Sequence, residues 1–403
     1  MVVGLSTVAL VATACGGDDA GGDSGGGTQE ITFAQAGLGP EGETTAAAIK
    51  AFEQANPGIK VKVQVLSTDA TQYAQQLQQR FVAGSSTPDV FMIDETSPAT
   101  YGKSGWLYDL GTFDPDLDSF IQASLGAGTY DGKTYAVPWY VNAEGLFYRT
   151  DLVETPPTTV DELVAQAKAA MAKDPALKQG LAFEGAKYEG AVTSFMVFAG
   201  GLGGTLDPAN LDTPELRAAL QFEHDAVYEY KIAPQAVTGW KEGEVQQAFT
   251  SGQSVFSINW PFVFSTTKGT PVDGKIAFTP FLGKGGTLGT EMLGINAKTE
   301  HAEAAWKLIQ YLTSVDTQVT RAVATGNPPS VTAAYNDDLY AKAPYFEQVK
   351  KVAEVAAQRP SSPQYLKISE ELQTALSSVV SNLSDPSTAL TDVAATVKTL
   401  ADQ

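Results

Sequence analysis

The 403-residue sequence predicts an α/β body with a mainly parallel sheet and a purely helical C-terminal end. Three observations carry this expectation. β-branched runs alternate with helical stretches up to Asp94, a similar rhythm returns after Thr159, and only helical spacing remains beyond Tyr365. Ile31-Thr32-Phe33-Ala34 reads as the first strand. Thr45, Ala48, Ile49 and Phe52 then fall at i, i+3, i+4 and i+7 on one helical face, which Asn56-Pro57-Gly58 closes. Ile59, Val61, Val63 and Val65 alternate with polar residues as a half-covered strand. Tyr73, Leu77 and Phe81 mark a helix stopped by Gly84, and Pro88 to Asp94 is a short strand running into acidic residues. Strands separated by helices need crossover connections, hence the parallel sheet. Thr159 and Glu162 form a capping-box pattern for a helix along Val160, Leu163, Val164 and Ala167. Thr213-Pro214 opens another along Leu216, Leu220 and Val227, with His224 packed beside that stripe. Ala305, Leu308, Ile309 and Leu312 make a further helix. Tyr365, Ile368, Leu372, Leu376 and Val379 give the penultimate one, and Asp385-Pro386 restarts a last helix through Leu390, Val393, Val397 and Leu400.

Ahead of this body, Val2 to Ala14 is apolar or small throughout and ends at Ala12-Thr13-Ala14-Cys15. The run is too short to span a bilayer, which needs roughly 20 residues, but has the length of a signal-peptide core. Small residues before a lone cysteine resemble a bacterial lipoprotein signal (residues 1–15), with Cys15 as the lipidated residue. Residues 16–29 hold seven glycines and three aspartates and no bulky apolar side chain. Such a stretch cannot bury enough surface to offset its ordering entropy, and it reads as a flexible tether.

The charge balance narrows the function. There are 26 Lys+Arg against 46 Asp+Glu, a formal net charge of −20. Neutralising phosphates needs clustered bases, so nucleic acid and polyanionic substrates are disfavoured. One cysteine excludes a disulfide framework or a thiolate metal cage. The two histidines, His224 and His301, leave little material for a zinc site, and His301 reads as a solvated residue at a helix start. No Gly-x-Ser-x-Gly elbow, phosphate loop or His-Glu-x-x-His is present, and the glycines between Gly200 and Gly204 follow an apolar run with no lysine. No cofactor or metal is implied.

What stands out is aromatic and polar residues at predicted strand ends: Trp139-Tyr140-Val141-Asn142 after Val137-Pro138, Asn259-Trp260-Pro261-Phe262 after Ser254 to Ile258, and Asp94-Glu95. In parallel α/β sheets ligands bind outside the carboxyl ends of strands. A neutral sugar needs this chemistry, since its apolar face packs on a ring and its hydroxyls pair with planar groups that make two hydrogen bonds at once. The plain alternative is that Trp139 and Trp260 are core aromatics.

Several ordered stretches resemble the extracellular solute-binding proteins of bacterial ABC importers, in the carbohydrate branch. They are Pro88-Asp89-Val90, Gly105-Trp106-Leu107 with Asp109-Leu110, Gly132 to Pro138 followed by Tyr148-Arg149-Thr150-Asp151-Leu152, Phe249 to Gly252 leading to Asn259-Trp260-Pro261, Ala305 to Ile309, and Gly326-Asn327-Pro328-Pro329. Tyr188-Glu189-Gly190 and Arg359-Pro360 look like the trehalose- and maltose-binding members. The resemblance implies a type II fold of two α/β lobes with a hinge and an interlobe ligand cleft. It assigns 30–141 plus 295–340 to one lobe and 142–294 plus 341–403 to the other, with crossings near Val141 and Leu293 and a third between Ser330 and Ala343. It also implies the site residues. Glu41, Thr68 and Asp94 bind hydroxyls from the first lobe, and Tyr140 and Asn142 lie at the first crossing. Glu242, Trp260 and Arg359 belong to the second lobe, Trp260 as stacking platform and Arg359 as forked donor. Glu291 stands where some disaccharide-binding relatives have an aromatic.

The expected protein is thus a non-enzymatic receptor for an importer. It binds a neutral di- or oligosaccharide, with trehalose or another α-glucoside first, closes about its hinge and docks on a membrane permease. It is expected to be a monomer anchored by lipid to the outer face of the bacterial cytoplasmic membrane. Rivals are a glycoside hydrolase using the same carboxylates, and the same fold binding a glycerol-phosphate-type ligand.

Overall fold

The computed structural model describes residues 28–36 and 41–403. Cys15 and residues 16–27 of the expected tether lie outside them, whereas Gln29, its last residue, already belongs to the first strand, Gln29–Gln35. Among the described residues no helix is long and apolar enough to cross a membrane.

The expected early elements form where their spacing puts them. Helix Glu41–Ala55 buries Thr45, Ile49 and Phe52, and helix Ala70–Val82 buries Tyr73, Leu77 and Phe81. Asp69 caps the second of these, its Oδ1 accepting from the Gln72 N–H at 2.8 Å. The last helix begins later than expected, at Ala389. Asp385-Pro386 forms a turn instead, in which Asp385 accepts from the backbone and side chain of Ser387.

One eight-stranded sheet runs through the molecule in the order Ile59–Val65, Gln29–Gln35, Val90–Asp94, Thr287–Ile295, Ala136–Arg149, Ser254–Asn259 and Gln179–Ala182, with Ile276–Thr279 also paired to Ala136–Arg149. The sheet is mixed rather than mainly parallel. Only the outer pairs (Gln29–Gln35 with its two neighbours, and Gln179–Ala182 with Ser254–Asn259) are parallel. The pairings made by Thr287–Ile295 and Ala136–Arg149 are antiparallel, because these two strands pass through the centre in opposite senses. The 14-residue strand Ala136–Arg149 pairs with Thr287–Ile295 up to Glu144 and with Ser254–Asn259 and Ile276–Thr279 from Gly145 on.

Trp139 and Asn142 therefore sit within a strand, not at its end. The register slips between Glu291 and Met292: Tyr140 faces Glu291 and Pro138 faces Met292, leaving Trp139 as an extra residue in a bulge. Such an irregularity is where a sheet tolerates a proline. Two cores lie along the sheet. One gathers Phe33, Phe52, Leu77, Phe91, Trp139, Met292 and Ile309, the other Leu163, Phe183, Phe198, Leu220, Phe256 and Leu372. Phe147, Phe249, Phe278, Phe346 and Val352 join the first, which thus continues across the crossing strands. A third chain segment meets them: the Val141 N–H donates to Pro328 O at 3.1 Å, and Ser330 Oγ donates to Pro138 O at 2.7 Å.

Candidate functional site

A cavity of about 130 Å³ opens between the two halves, and all nine residues anticipated from the sequence line it: Glu41, Thr68, Asp94, Tyr140, Asn142, Glu242, Trp260, Glu291 and Arg359. Trp139 does not. It is 1% exposed, edge-on to Phe33 at 5.7 Å, and a core residue.

Trp260 is held from below and behind. Buried Asn259 accepts from the Trp260 N–H at 2.8 Å and donates through Nδ2 to Glu242 O at 3.2 Å, tying the turn that carries the indole to the start of helix Glu242–Thr250. The half-buried ring lies on Gly289, where a Cβ would come within 2.6 Å of it. Gly289 went unnoticed in the sequence, although a lone glycine inside a strand signals such close approach. Phe262, like Tyr140, adds a further ring to the lining.

Arg359 is engaged rather than free. Its side chain is 2% exposed, with Nη2 donating to Asp94 at 2.5 Å, Nη1 to Glu189 at 2.9 Å, and Nε lying 3.6 Å from Glu95. Asp94 ends strand Val90–Asp94, and its other oxygen accepts from the Thr96 N–H at 2.9 Å and hydroxyl at 2.6 Å. Glu189 opens helix Glu189–Gly201 and also accepts from Tyr365 Oη at 2.7 Å and from Ser369 Oγ. The guanidinium thus bridges the two halves. Burial pushes Glu95 up to about 7 despite that neighbouring cation.

Glu41, at the start of its helix, accepts from Asn327 Nδ2 and lies 3.6 Å from Arg321. The Arg321 guanidinium is sandwiched 4.2 Å from the ring centres of both Trp139 and Tyr140. Asn142 Nδ2 donates to Asn327 at 3.5 Å, while Asn142 Oδ1 and Glu291 Oε2 are buried acceptors with no hydrogen-bond partner. Burial, reinforced by Asp94, holds Glu291 well above the ordinary carboxylate range. Thr68 sits exposed at the rim.

Behind Glu242 lie two further carboxyls that sequence reasoning missed, since isolated acids carry no periodic signal. Glu144 accepts from Ser194 Oγ at 3.0 Å, and Glu184 accepts from Tyr188 Oη at 2.6 Å. Burial pushes Glu144 up to about 8 and Glu242 up to about 7. Gly190 makes room for this group: a Cβ there would sit 2.1 Å from both Glu184 Oε2 and Tyr188 Oη. At the rim Lys241 pairs with Asp69 across the gap.

Chemically, the cavity offers a ring surface, buried oxygens that no protein group hydrogen-bonds, and a guanidinium whose charge is already balanced. Acids line it in excess, with Arg359 the one base among its described lining residues, which disfavours a phosphorylated ligand. This combination in a two-lobed α/β fold defines a receptor for small polyhydroxylated molecules. The chain belongs to the bacterial extracellular solute-binding protein family, whose model matches residues 36–319, and to its carbohydrate-binding, ABC-transporter branch. A probable ABC transporter-binding protein of Deinococcus radiodurans is 31% identical over 78% of this chain and 80% of its own length. A maltotriose-binding protein of Pyrococcus abyssi is 24% identical over 68% of this chain and 62% of its own. Among solved structures, maltose-bound MalE3 of T. maritima superposes with a TM-score of 0.87 and 32% identity, covering 92% of this chain and 99% of that one.

Proposed function

We propose that this protein captures a neutral di- or oligosaccharide, an α-glucoside such as trehalose or maltose first, by closing its two lobes about the hinge strands and then delivers it to an ABC permease. The observation that carries this is the seating of Trp260 on Gly289 of strand Thr287–Ile295, in a cavity also lined by Asn142 and Glu291, each with a buried side-chain oxygen that no protein group hydrogen-bonds. Glu41, Thr68, Asp94, Tyr140, Glu242 and Arg359 complete the ligand shell. A ligand touching both lobes favours the closed state by the difference in its affinity for the two forms. The lobes divide near Val141 and Leu293, and the 136–149 and 287–295 strands flex between them. No chemical step is assigned to the site. The chain acts as a monomer tethered through lipidated Cys15 outside the cytoplasmic membrane.

Calorimetry against trehalose, maltose, other neutral disaccharides and glycerol phosphate tests this. A neutral α-glucoside is expected to bind with a Kd of about 1 μM or tighter, and Trp260→Ala to weaken it by roughly 30-fold, about 2 kcal/mol. Binding of glycerol phosphate alone, or turnover of a glycoside, overturns the proposal. Incorporation of labelled fatty acid, lost in Cys15→Ser, checks the anchor.

A further inference from the structure

A second cavity of about 640 Å³ lies against the first and is also bounded by both halves. The two share Ala70, Ala74, Asp94, Ser97 and Glu189, so the bridge from Asp94 through Arg359 to Glu189 is the partition between them. The first cavity, at about 130 Å³, falls well short of the roughly 300–1,000 Å³ usual for small-molecule sites, whereas the adjoining second supplies a volume within that range. The second is walled by hydroxyls and amides, with Thr71, Gln75 and Gln78 on one side and Gln364 and Gln373 on the other. These groups both donate and accept, as a sugar's hydroxyls require. Lys103, Lys187 and Lys367 also reach it, so it lacks the one-sided acidity of the first cavity.

We infer that the two cavities are consecutive segments of one oligosaccharide groove, and that the Arg359–Glu189 contact is a length gate between them. The inference rests on the carbohydrate-receptor reading. The gate can part without stranding a charge. Arg359 would keep Asp94 and Glu95, and Glu189 would keep the hydroxyls of Tyr365 and Ser369. The freed guanidinium face and carboxylate edge then meet hydroxyls of the ring that passes between them. A disaccharide leaves the gate shut, and a third ring occupies the second cavity.

Calorimetry on the full chain compares maltose, maltotriose and maltotetraose, and in parallel trehalose with its α-1,4-glucosylated trisaccharide. Gln75→Trp and Gln364→Trp each fill the second cavity from outside the first, with melting temperature as the check on folding. The third ring is expected to tighten binding by about tenfold in the wild type. Both variants should erase that gain while leaving the disaccharide Kd and the melting temperature unchanged. Disaccharide binding with no gain for the trisaccharide, or a gain that survives both variants, overturns the length gate alone. Failure of every sugar to bind overturns the receptor reading, and the gate with it.

Discussion

Two ionic bridges span the gap between the halves, and they are built in opposite ways. The Arg359 bridge is dry at its cation: the guanidinium is 2% exposed and meets carboxylates from both sides, of which Asp94 is 27% exposed. The Lys241–Asp69 bridge stands at the rim, where Lys241 is 37% exposed and also lies 5.3 Å over the Tyr188 ring. One contact of a buried cluster can part while each member keeps its other partners, but deleting the shared cation is costly, because the carboxylates it served are left buried and unpaired. A rim pair gains little and loses little. The first should therefore fix how the halves meet, and the second only trim the balance between open and closed.

The largest effect that could break this contrast is Arg359→Ala. It leaves Asp94, Glu95 and Glu189 without their common cation, and denaturant titration should show a loss of about 3–5 kcal/mol. A loss below about 1 kcal/mol would mean the bridge is dispensable.

The dry side should also titrate near neutrality. Glu95 and Glu242 lie near 7 and Glu144 near 8, against an ordinary value of 4.5, so the folded chain holds protons the unfolded chain has released. Their contribution to stability is complete below the unfolded value and is lost as pH rises through 7 to 8. The melting temperature should fall by roughly 5 °C from about pH 5 to about pH 8.5, and less in Glu144→Gln. A flat or rising profile counts against the buried charges being linked to folding.

The smallest effect sharpens the comparison from the other end. Lys241→Ala should cost under about 1 kcal/mol, and less still at high salt. Asp69→Ala should cost about 1 kcal/mol more than that, since it also removes the cap on helix Ala70–Val82. Equal losses in the two variants would show that the cap contributes nothing.

Legibility in the sequence followed the same divide between repetitive and singular features. Helices 41–55 and 70–82 and strand 59–65 were readable because each shows one face to a core, which forces a period on the residues. Strand Ala136–Arg149 was not, because Pro138 reads as a strand end and the bulge at Trp139 that accommodates it depends on the register against Met292. The mixed pairing was hidden for the same reason. Strand order depends on which distant segments meet, and crossing strands far apart in sequence leave no local mark. Of the nine anticipated residues that line the cavity, Asp94, Tyr140, Asn142 and Trp260 stood out at predicted strand ends and the rest came from family resemblance. Glu189 appeared only within a family motif and Glu144 and Glu184 not at all, since their burial comes from partners on other elements.

The seating of Trp260 on Gly289 has a mechanical consequence. The strand beneath the indole, Thr287–Ile295, is one of those about which the proposed closure turns, so on that proposal flexure there tilts the ring along with the lobes. Under that closure, degree of opening and quality of stacking become a single coordinate, and a guest of the wrong thickness would be sensed as an angle rather than as a clash.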